Sequence, residues 1–286
     1  MPGPRPTVRL RQLGTALRSL REKAGKGLEE VGAEVDLSAA TISRYERAQV
    51  RPRVNDVHAL LDLYKVTDVP KRDALLKLAR EARRQGWWVE YGETLSSPYT
   101  DYISLETDTS SILNFELGTI PGLLQTADYA EVVTRTFAPE ATAEEIRGSV
   151  AVRIARQEQV LGRPKPPRLW FVVHEMALRV NVGGPQVMRV QLDRLREAAE
   201  LPNVTLQVLP VEAGAHAGMG GSFVILEFPG LSELDLIHLE HATGGLYMER
   251  EDDISHYRLK FDRLRAAALD VSPSLARIER ISKELA

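Results

Sequence analysis

The sequence has no cysteine, and this absence limits both its chemistry and its surroundings. Disulfide bonds, thiolate metal sites and a cysteine nucleophile are excluded, since each needs a thiol. A chain without cysteine fits a reducing cytoplasm, where we expect the protein to act. Long apolar runs are missing too: no stretch approaches the ~18 residues of a membrane span, so no membrane contact is expected. The opening MPGPRP lacks the apolar centre of a secretory signal, and residues 1–6 are expected to form a flexible tail.

A strong net charge is also missing, because the 286 residues carry a formal charge of only −3. That balance hides two opposite regions. Residues 1–86 hold 18 Lys and Arg residues against 11 acidic ones, whereas residues 87–286 hold 19 against 29. A basic region attracts polyanions and an acidic region repels them. The division predicts two domains with different tasks, over residues 7–86 and 87–286, which fits the usual ~150 residues per domain.

Hydrophobic spacing predicts the fold class of each domain. Leu13, Leu17 and Leu20 recur at helical spacing, and similar sets predict five helices in an all-α N-terminal domain. After residue 87 the pattern becomes mixed: alternating segments such as Val204–Pro210 predict strands between helices. Residues 98–116 read as one helix, and Gly244-Gly245 reads as a turn. The prediction is a five-helix N-terminal domain plus a larger α+β C-terminal domain.

The segment Leu28–Arg53 has the layout of a helix-turn-helix, in which the second helix enters the DNA major groove. The first helix must have a small face so that the second can cross it closely, and Gly32 and Ala33 provide that face. Leu37 and Ile42 are apolar and can fill the hinge. The side chains on the outward face of the second helix must be short or able to form hydrogen bonds, so that they can reach base edges. It carries four such residues, namely Ala39, Ala40, Ser43 and Arg44.

Residues 8–84 resemble the Cro/repressor-type (xenobiotic-response-element) helix-turn-helix family. The resemblance is carried by the pattern S-x-x-T-I-S-R-x-E-x-x-x-x-R-P, which begins at Ser38 and ends at Pro52. It implies DNA contacts on a recognition helix from Ser38 to Arg47, and a structural pair between Arg21 and Glu46. The chain departs from the family at four positions: Gly27 and Leu28 replace a common Thr-Gln, while Asp36 and Ala48 replace common glycines.

The side-chain chemistry of the motif assigns a role to each residue. Arg44 can donate two hydrogen bonds to guanine, which is worth ~1–3 kcal/mol of discrimination. The methyl groups of Ala39 and Ala40 suit thymine methyls, and Ser43 can bond a base edge. Phosphate contacts are expected where hydroxyls or arginines flank the groove. The residues predicted to make them are Ser38, Thr41, Arg47, Arg51 and Arg53.

A second signature lies in the C-terminal region. The string PGLLQT at Pro121–Thr126 is followed by Tyr129, then by Arg153-x-x-Arg156-Gln157 and by Gln191-Leu192. Residues 105–273 thereby resemble the C-terminal domain of unknown function of actinobacterial WhiJ-type, antitoxin-like regulators. The resemblance implies a regulator that is restrained or released by a small partner protein encoded beside it.

Enzyme and metal motifs are incomplete. His174-Glu175 begins an HExxH zinc motif, but Leu178 stands where its second histidine is needed. His238 and His241 would point to opposite faces of a strand. Gly214–Gly221 lacks the spacing of a dinucleotide fingerprint. We therefore expect no catalytic residue, no metal and no cofactor.

Three hypotheses for the function remain. The first is a transcriptional regulator that reads a palindromic operator as a homodimer, with the acidic domain used for dimerisation and sensing. The second is an antitoxin-like interaction module that binds a small partner protein and only autoregulates. The third is a regulator that senses a small-molecule ligand. Binding of double-stranded DNA is common to all three.

Overall fold

The chain folds into two compact units, and the computed structural model describes residues 8–81, 97–228, 234–241 and 244–285. One unit comprises Met1–Val89 with Phe228–Leu234, and the other comprises Glu90–Glu227 with Asp235–Ala286. The predicted tail at residues 1–6 and the predicted boundary after residue 86 lie outside the described residues. The predicted fold class is confirmed, since the first unit is helical and the second combines helices with a sheet.

The described part of the first unit contains five α-helices around a small apolar core. Leu13, Leu17, Val31, Ile42 and Leu61 are all buried there. Burial of such side chains, each worth about 1.5–3 kcal/mol, holds these short helices together. The helices are α1 (Val8–Lys23), α2 (Leu28–Glu34), α3 (Ala39–Glu46), α4 (Val54–Leu63) and α5 (Val69–Glu81).

Helices α1 to α4 end in the same way, with a left-handed residue that closes the last turn. The four residues and their φ angles are Gly25 (67°), Asp36 (54°), Ala48 (55°) and Lys65 (55°). After each of them the next amide bonds a carbonyl five residues back, at 3.2, 2.8, 2.9 and 3.0 Å in the same order. Asp36 and Ala48 therefore adopt the left-handed conformation that glycine would adopt at these two positions. This conformation costs about 1 kcal/mol for a residue that has a Cβ.

The second unit is built on a six-stranded mixed sheet in the order β3-β2-β1-β4-β5-β6. β1, β2 and β3 run parallel, and β4, β5 and β6 continue antiparallel from β1. Its strands are β1 (Ser111–Glu116), β2 (Arg168–His174), β3 (Val204–Leu209), β4 (Phe223–Glu227), β5 (Leu236–His241) and β6 (Gly244–Met248). Its helices are α6 (Ser97–Glu106), α7 (Ala127–Phe137), α8 (Ala143–Leu161), α9 (Glu175–Arg179), α10 (Pro185–Ala199), α11 (Glu251–Ala267) and α12 (Val271–Glu284).

Two local predictions for this unit were wrong. The single helix over residues 98–116 ends at Glu106, and Ser111–Glu116 forms β1 at the centre of the sheet. A strand that is buried on both faces loses the alternation that marks a half-exposed one, and this hid β1 in the sequence. Gly244-Gly245 begins β6 instead of forming a turn. This strand position requires glycine, because a Cβ on residue 245 would overlap the ring of His238.

The two outer strands of the sheet differ in their surroundings. On β3, the carbonyl of Val208 accepts a hydrogen bond from the amide of Leu269 at 2.9 Å, and its amide donates to Ser274 Oγ at 2.9 Å. The segment between α11 and α12 therefore covers the β3 edge. Among the described strands, none lies on the outer side of β6.

Candidate nucleic-acid interface

The crossing of α2, α3 and α1 depends on two glycines. A Cβ on Gly32 would lie 2.5 Å from the carbonyl oxygen of Leu37 and 3.1 Å from the amide of Ala39. A Cβ on Gly14 in α1 would lie 2.7 Å from the carbonyl oxygen of Glu46. Ala33 is exposed, so the close approach that was assigned to Gly32 and Ala33 together depends on Gly32. The sequence reading missed Gly14, although an isolated glycine within a helical pattern is itself a sign of close packing.

Helix α3 begins at a hydroxyl cap and is anchored on its inner face. Ser38 is the N-cap and accepts a hydrogen bond from the amide of Thr41 at 3.1 Å. Ile42 and Tyr45 are buried. The Tyr45 hydroxyl donates to Asp56 Oδ2 in α4 at 2.6 Å, a contact that the sequence did not predict. Burial, reinforced by this bond, raises the pKa of Tyr45 to about 12, so the phenol stays protonated and holds α3 on α4.

The outer face of α3 carries the residues that were predicted to read DNA bases. Ala40 and Arg44 are exposed, and Ala39 and Ser43 are partly exposed. Arg44 Nη2 lies 3.3 Å from Thr41 Oγ1, and its Nε donates to the Ala40 carbonyl at 3.3 Å. The guanidinium therefore lies along the helix and offers its remaining N–H groups outward.

The predicted phosphate contacts flank this face. Arg47 ends α3 and donates to Ser43 Oγ at 2.7 Å. Arg51 and Arg53 are exposed on the loop before α4, on either side of the buried Pro52. Ser38 is exposed and Thr41 is partly exposed. All nine residues predicted to contact DNA thus keep exposed surface on α3, at its two ends or on the loop that leads to α4. Their division between bases and phosphates stays a prediction.

Arg21 and Glu46 form a two-pronged ion pair that joins α1 to α3. Arg21 Nε donates to Glu46 Oε1 at 2.6 Å and Nη2 donates to Oε2 at 2.9 Å. A third bond runs from Arg21 Nη1 to the Lys26 carbonyl at 2.9 Å. The side chains are 13% and 6% exposed, so water weakens this pair little. The hydrogen bond to Glu46 raises the pKa of Arg21, and the pair fixes α3 against α1.

The PGLLQT signature forms a turn whose backbone is bonded by side chains of other helices. Gln157 in α8 donates to the carbonyls of Gly122 and Gln125 at 2.9 and 2.8 Å. Gln191 in α10 donates to the Leu124 carbonyl and accepts from the Thr126 amide, both at 2.8 Å. Buried backbone groups need such partners. The signature residues therefore hold the turn to α8 and α10.

A line of polar and aromatic side chains lies on one face of the sheet. Arg156 in α8 donates to both oxygens of Glu106 in α6, at 2.6 and 2.7 Å, and its guanidinium lies 4.9 Å from the Tyr102 ring centre. His238 lies between Tyr102 and Tyr247, with ring centres 4.5 and 5.0 Å away. Burial, with Arg156 nearby, lowers the pKa of His238 to about 4, so it is neutral at pH 7.

Glu116 lies at the end of β1 on the same face of the sheet, and its pKa is raised, whereas that of His238 is lowered. Burial raises its pKa to about 7, against hydrogen bonds from Ser222, Asn114 and Thr119 that favour the carboxylate. Asn114 Nδ2 donates to Oε1 at 3.2 Å and Thr119 Oγ1 to Oε2 at 3.3 Å. Glu240 adds a repulsive charge, which also favours the protonated form.

These two groups predict opposing pH dependences of stability. Unfolding frees His238 to take up a proton below pH 6.5, so this group lowers the free energy of unfolding as pH falls from 6.5 towards 4. The folded state keeps a proton on Glu116 that the unfolded chain has already lost. This group therefore lowers the free energy of unfolding as pH rises from 4.5 towards 7. Each slope is about 1.4 kcal/mol per pH unit, and the two slopes oppose each other between pH 4.5 and 6.5.

When the pH is lowered from 6.5 to 4.5, the free energy of unfolding of His238→Gln should rise by about 2 kcal/mol relative to that of the parent chain. For Glu116→Gln it should fall by about as much relative to the parent chain. Urea unfolding of the three proteins at both pH values measures this. Variants that keep the parent's pH profile would contradict the assignment.

The described residues contain no group of three or more histidines and carboxylates that could hold a metal ion. Within the same residues, no helix has the length and apolar character to cross a membrane. On β5, His238 is partly buried between the rings of Tyr102 and Tyr247, whereas His241 is exposed at the end of the strand. The two histidines are therefore not brought together as ligands.

Comparison with known families finds two matches along the chain. The family described as a domain of unknown function (DUF5753) matches residues 99–280, which is more than half of the chain. The family described as a helix-turn-helix domain matches residues 12–75, the region of α1 to α5. The chain matches no curated protein and no solved structure. The chain therefore belongs to the DUF5753 family, and it carries a DNA-binding helix-turn-helix domain ahead of that domain.

Proposed function

We propose that this protein is a sequence-specific transcriptional regulator of the Cro/repressor type, which reads bases in the major groove with α3. The observation that carries the proposal is the construction of α3. Its inner face is fixed by the Tyr45–Asp56 bond and the Arg21–Glu46 pair, while Arg44 and its neighbours remain outside. A rigid helix with outward hydrogen-bond donors is what base readout requires.

The proposal includes a homodimer and a palindromic operator. A single small helix-turn-helix domain makes few base contacts, and dimers add contacts by reading two half-sites one or more helical turns apart. The C-terminal domain, with 29 acidic residues against 19 basic ones over residues 87–286, is repelled by DNA and suits this second task. A small partner protein, as the resemblance to WhiJ-type regulators implies, or else a small-molecule ligand would act there. The proposal assigns no catalysis, and it places the protein in the cytoplasm with DNA.

Replacing Arg44 by alanine tests the proposal. In vitro selection with the parent chain first defines the bound sequence. Affinity for that sequence should then fall about 30-fold, near 2 kcal/mol, with relaxed preference at one base position, since a two-bond contact to guanine is lost. Arg47→Ala should weaken all sequences alike and reduce the salt slope by about 1.

The matched control is Arg135→Ala, which removes the same charge from a side chain that is 60% exposed on α7. Its affinity should equal that of the parent chain. An Arg44→Ala protein that still binds the selected DNA with unchanged affinity and specificity would sink the assignment of α3 as the reading helix.

A further inference from the structure

We propose that a cavity between α8 and α10 of the C-terminal domain binds a small zwitterion with an apolar body, of the size of a hydrophobic dipeptide. The inference deepens the proposed function, because it names the class of ligand for this domain. It rests on that function only for the consequence that such a ligand regulates DNA binding. Binding of the ligand itself is measured without DNA.

The cavity lies beside the PGLLQT turn and has a volume of about 420 Å³. Ligand sites in proteins occupy about 300–1,000 Å³, so this volume suits a molecule of dipeptide size. One wall is a single face of α8, because its lining residues are spaced three and four positions apart. These residues are Ile154, Gln157, Glu158 and Leu161, and the cavity is also lined by Thr126 and by Arg194 of α10.

Two side chains on α8 provide the apolar part of the cavity. Ile154 and Leu161 are only partly buried, although both are aliphatic. The polar pair Gln157 and Glu158 lies between them along the helix. An apolar ligand body that covers Ile154 and Leu161 would remove their remaining exposed surface from water, which is favourable.

Gln157 supplies a buried acceptor that the fold leaves unused. The residue is 7% exposed, and its Nε2 donates to the carbonyls of Gly122 and Gln125. In the part of the chain that the structure describes, no group donates a hydrogen bond to its Oε1. Buried polar groups are normally bonded. Because the turn holds the amide hydrogens of Gln157, its oxygen is available to a donor in the cavity.

The two helices bring opposite charges to the cavity. Among the described residues, Glu158 has no hydrogen-bond or ion-pair partner. Arg194 Nη1 lies 3.7 Å from Glu197 Oε2, which is too long for a hydrogen bond, so the guanidinium keeps its donors. An ammonium group fits Glu158 together with Gln157 Oε1, since both accept hydrogen bonds. A carboxylate fits Arg194, which can bind it with two parallel bonds.

This charge pattern favours a free zwitterion over the other occupants of such a cavity. A ligand with one charge would pair either Glu158 or Arg194 and leave the second group unmatched. An internal segment of a partner protein has a neutral backbone and would pair neither. A free dipeptide carries one charge at each end and an apolar body between them, so it matches both walls and the aliphatic side chains.

The first experiment is a calorimetric titration of the full-length protein with L-leucyl-L-leucine. We expect the parent chain to bind it, and Glu158→Gln and Arg194→Gln each to lower the affinity about tenfold, because each variant removes one charge-assisted contact. Arg196→Gln is the matched control, since it removes the same charge from α10 at a side chain that is 47% exposed and outside the cavity. It should bind the dipeptide like the parent chain.

The second experiment uses dipeptides with one blocked end to assign each end to its residue. N-acetyl-leucyl-leucine has no ammonium group, so Glu158→Gln and the parent chain should bind it equally. Leucyl-leucinamide has no carboxylate, so Arg194→Gln and the parent chain should bind it equally. A variant that merely disturbs the fold would weaken every one of these ligands, and it would not show this pairing of residue with ligand end.

The outcomes separate this inference from the proposed function. A parent chain that does not bind leucyl-leucine at millimolar concentrations, or variants that bind it unchanged, overturns the inference and leaves DNA reading by α3 intact. Equal binding of a dipeptide blocked at both ends shows that the cavity takes an internal peptide segment, which also overturns it. A protein that binds the dipeptide with the expected pairing and binds no DNA supports the inference and overturns the proposed function.

Discussion

Replacing Glu106 by alanine is expected to destabilise the C-terminal domain by about 3–5 kcal/mol. Glu106 is completely buried and binds both nitrogens of the Arg156 fork. Burial alone would lower the pKa of Arg156, but the carboxylate beside it raises the pKa well above the ordinary value. Without Glu106 the guanidinium stays charged in a site that excludes water, and this unpaired charge is the source of the penalty.

Hydrogen exchange of the β1 and β4 amides measures the effect, because these central strands exchange through unfolding of the domain. The control replaces both partners, as Glu106→Leu with Arg156→Met. An apolar pair of similar volume removes the charge and its partner together, so we expect most of the stability to return. If the single variant exchanges as slowly as the parent chain, the pair does not hold α6 to α8.

Gly32→Ala should destabilise the N-terminal domain by about 3 kcal/mol and abolish specific DNA binding. The added methyl would lie 2.5 Å from the Leu37 carbonyl oxygen, and the nearby atoms are backbone that cannot rotate away. Helices α2 and α3 must then separate. In an ordinary helix the same change gains about 1 kcal/mol, so both the sign and the size of the effect report the crossing.

Thermal unfolding and a DNA shift assay measure the two parts of this prediction. Gly27→Ala is the matched control at the N-cap of the same helix: its Cβ would meet nothing within 4 Å and its φ is −78°. Alanine is a poorer N-cap than glycine, so this variant should lose at most about 1 kcal/mol and should keep DNA binding. Gly14→Ala should behave like Gly32→Ala, because its methyl would lie 2.7 Å from the Glu46 carbonyl oxygen. A Gly32→Ala protein with normal stability would contradict the close crossing.

Much of the N-terminal domain could be predicted because its signals are local. Caps such as Ser38, the stop at Pro52 and the apolar residues at helical spacing act within a few residues of the chain. The four residues predicted to contact bases follow from the same periodicity, which places them on the outer side of α3. Gly14 and the Tyr45–Asp56 bond were missed because each acts between two helices, whereas hydrophobic periodicity is a property of a single helix.

The C-terminal domain could be predicted only in class. β1 was taken for helix because its environment, two neighbouring strands and two covered faces, is set by distant segments. The string PGLLQT was visible in the sequence, but its partners on α8 and α10 were not, since hydrogen bonds across 32 to 67 residues leave no local pattern.

The sequence by itself determined the division of charge, the all-α and α+β classes, the outward face of α3 and the absence of any thiol, because these depend on composition and on short-range periodicity. Only the tertiary structure decided which glycines allow the helices to cross, which charges are buried in pairs, and which segment covers the β3 edge of the sheet. Those features depend on the distance between atoms that the chain brings together only when it folds.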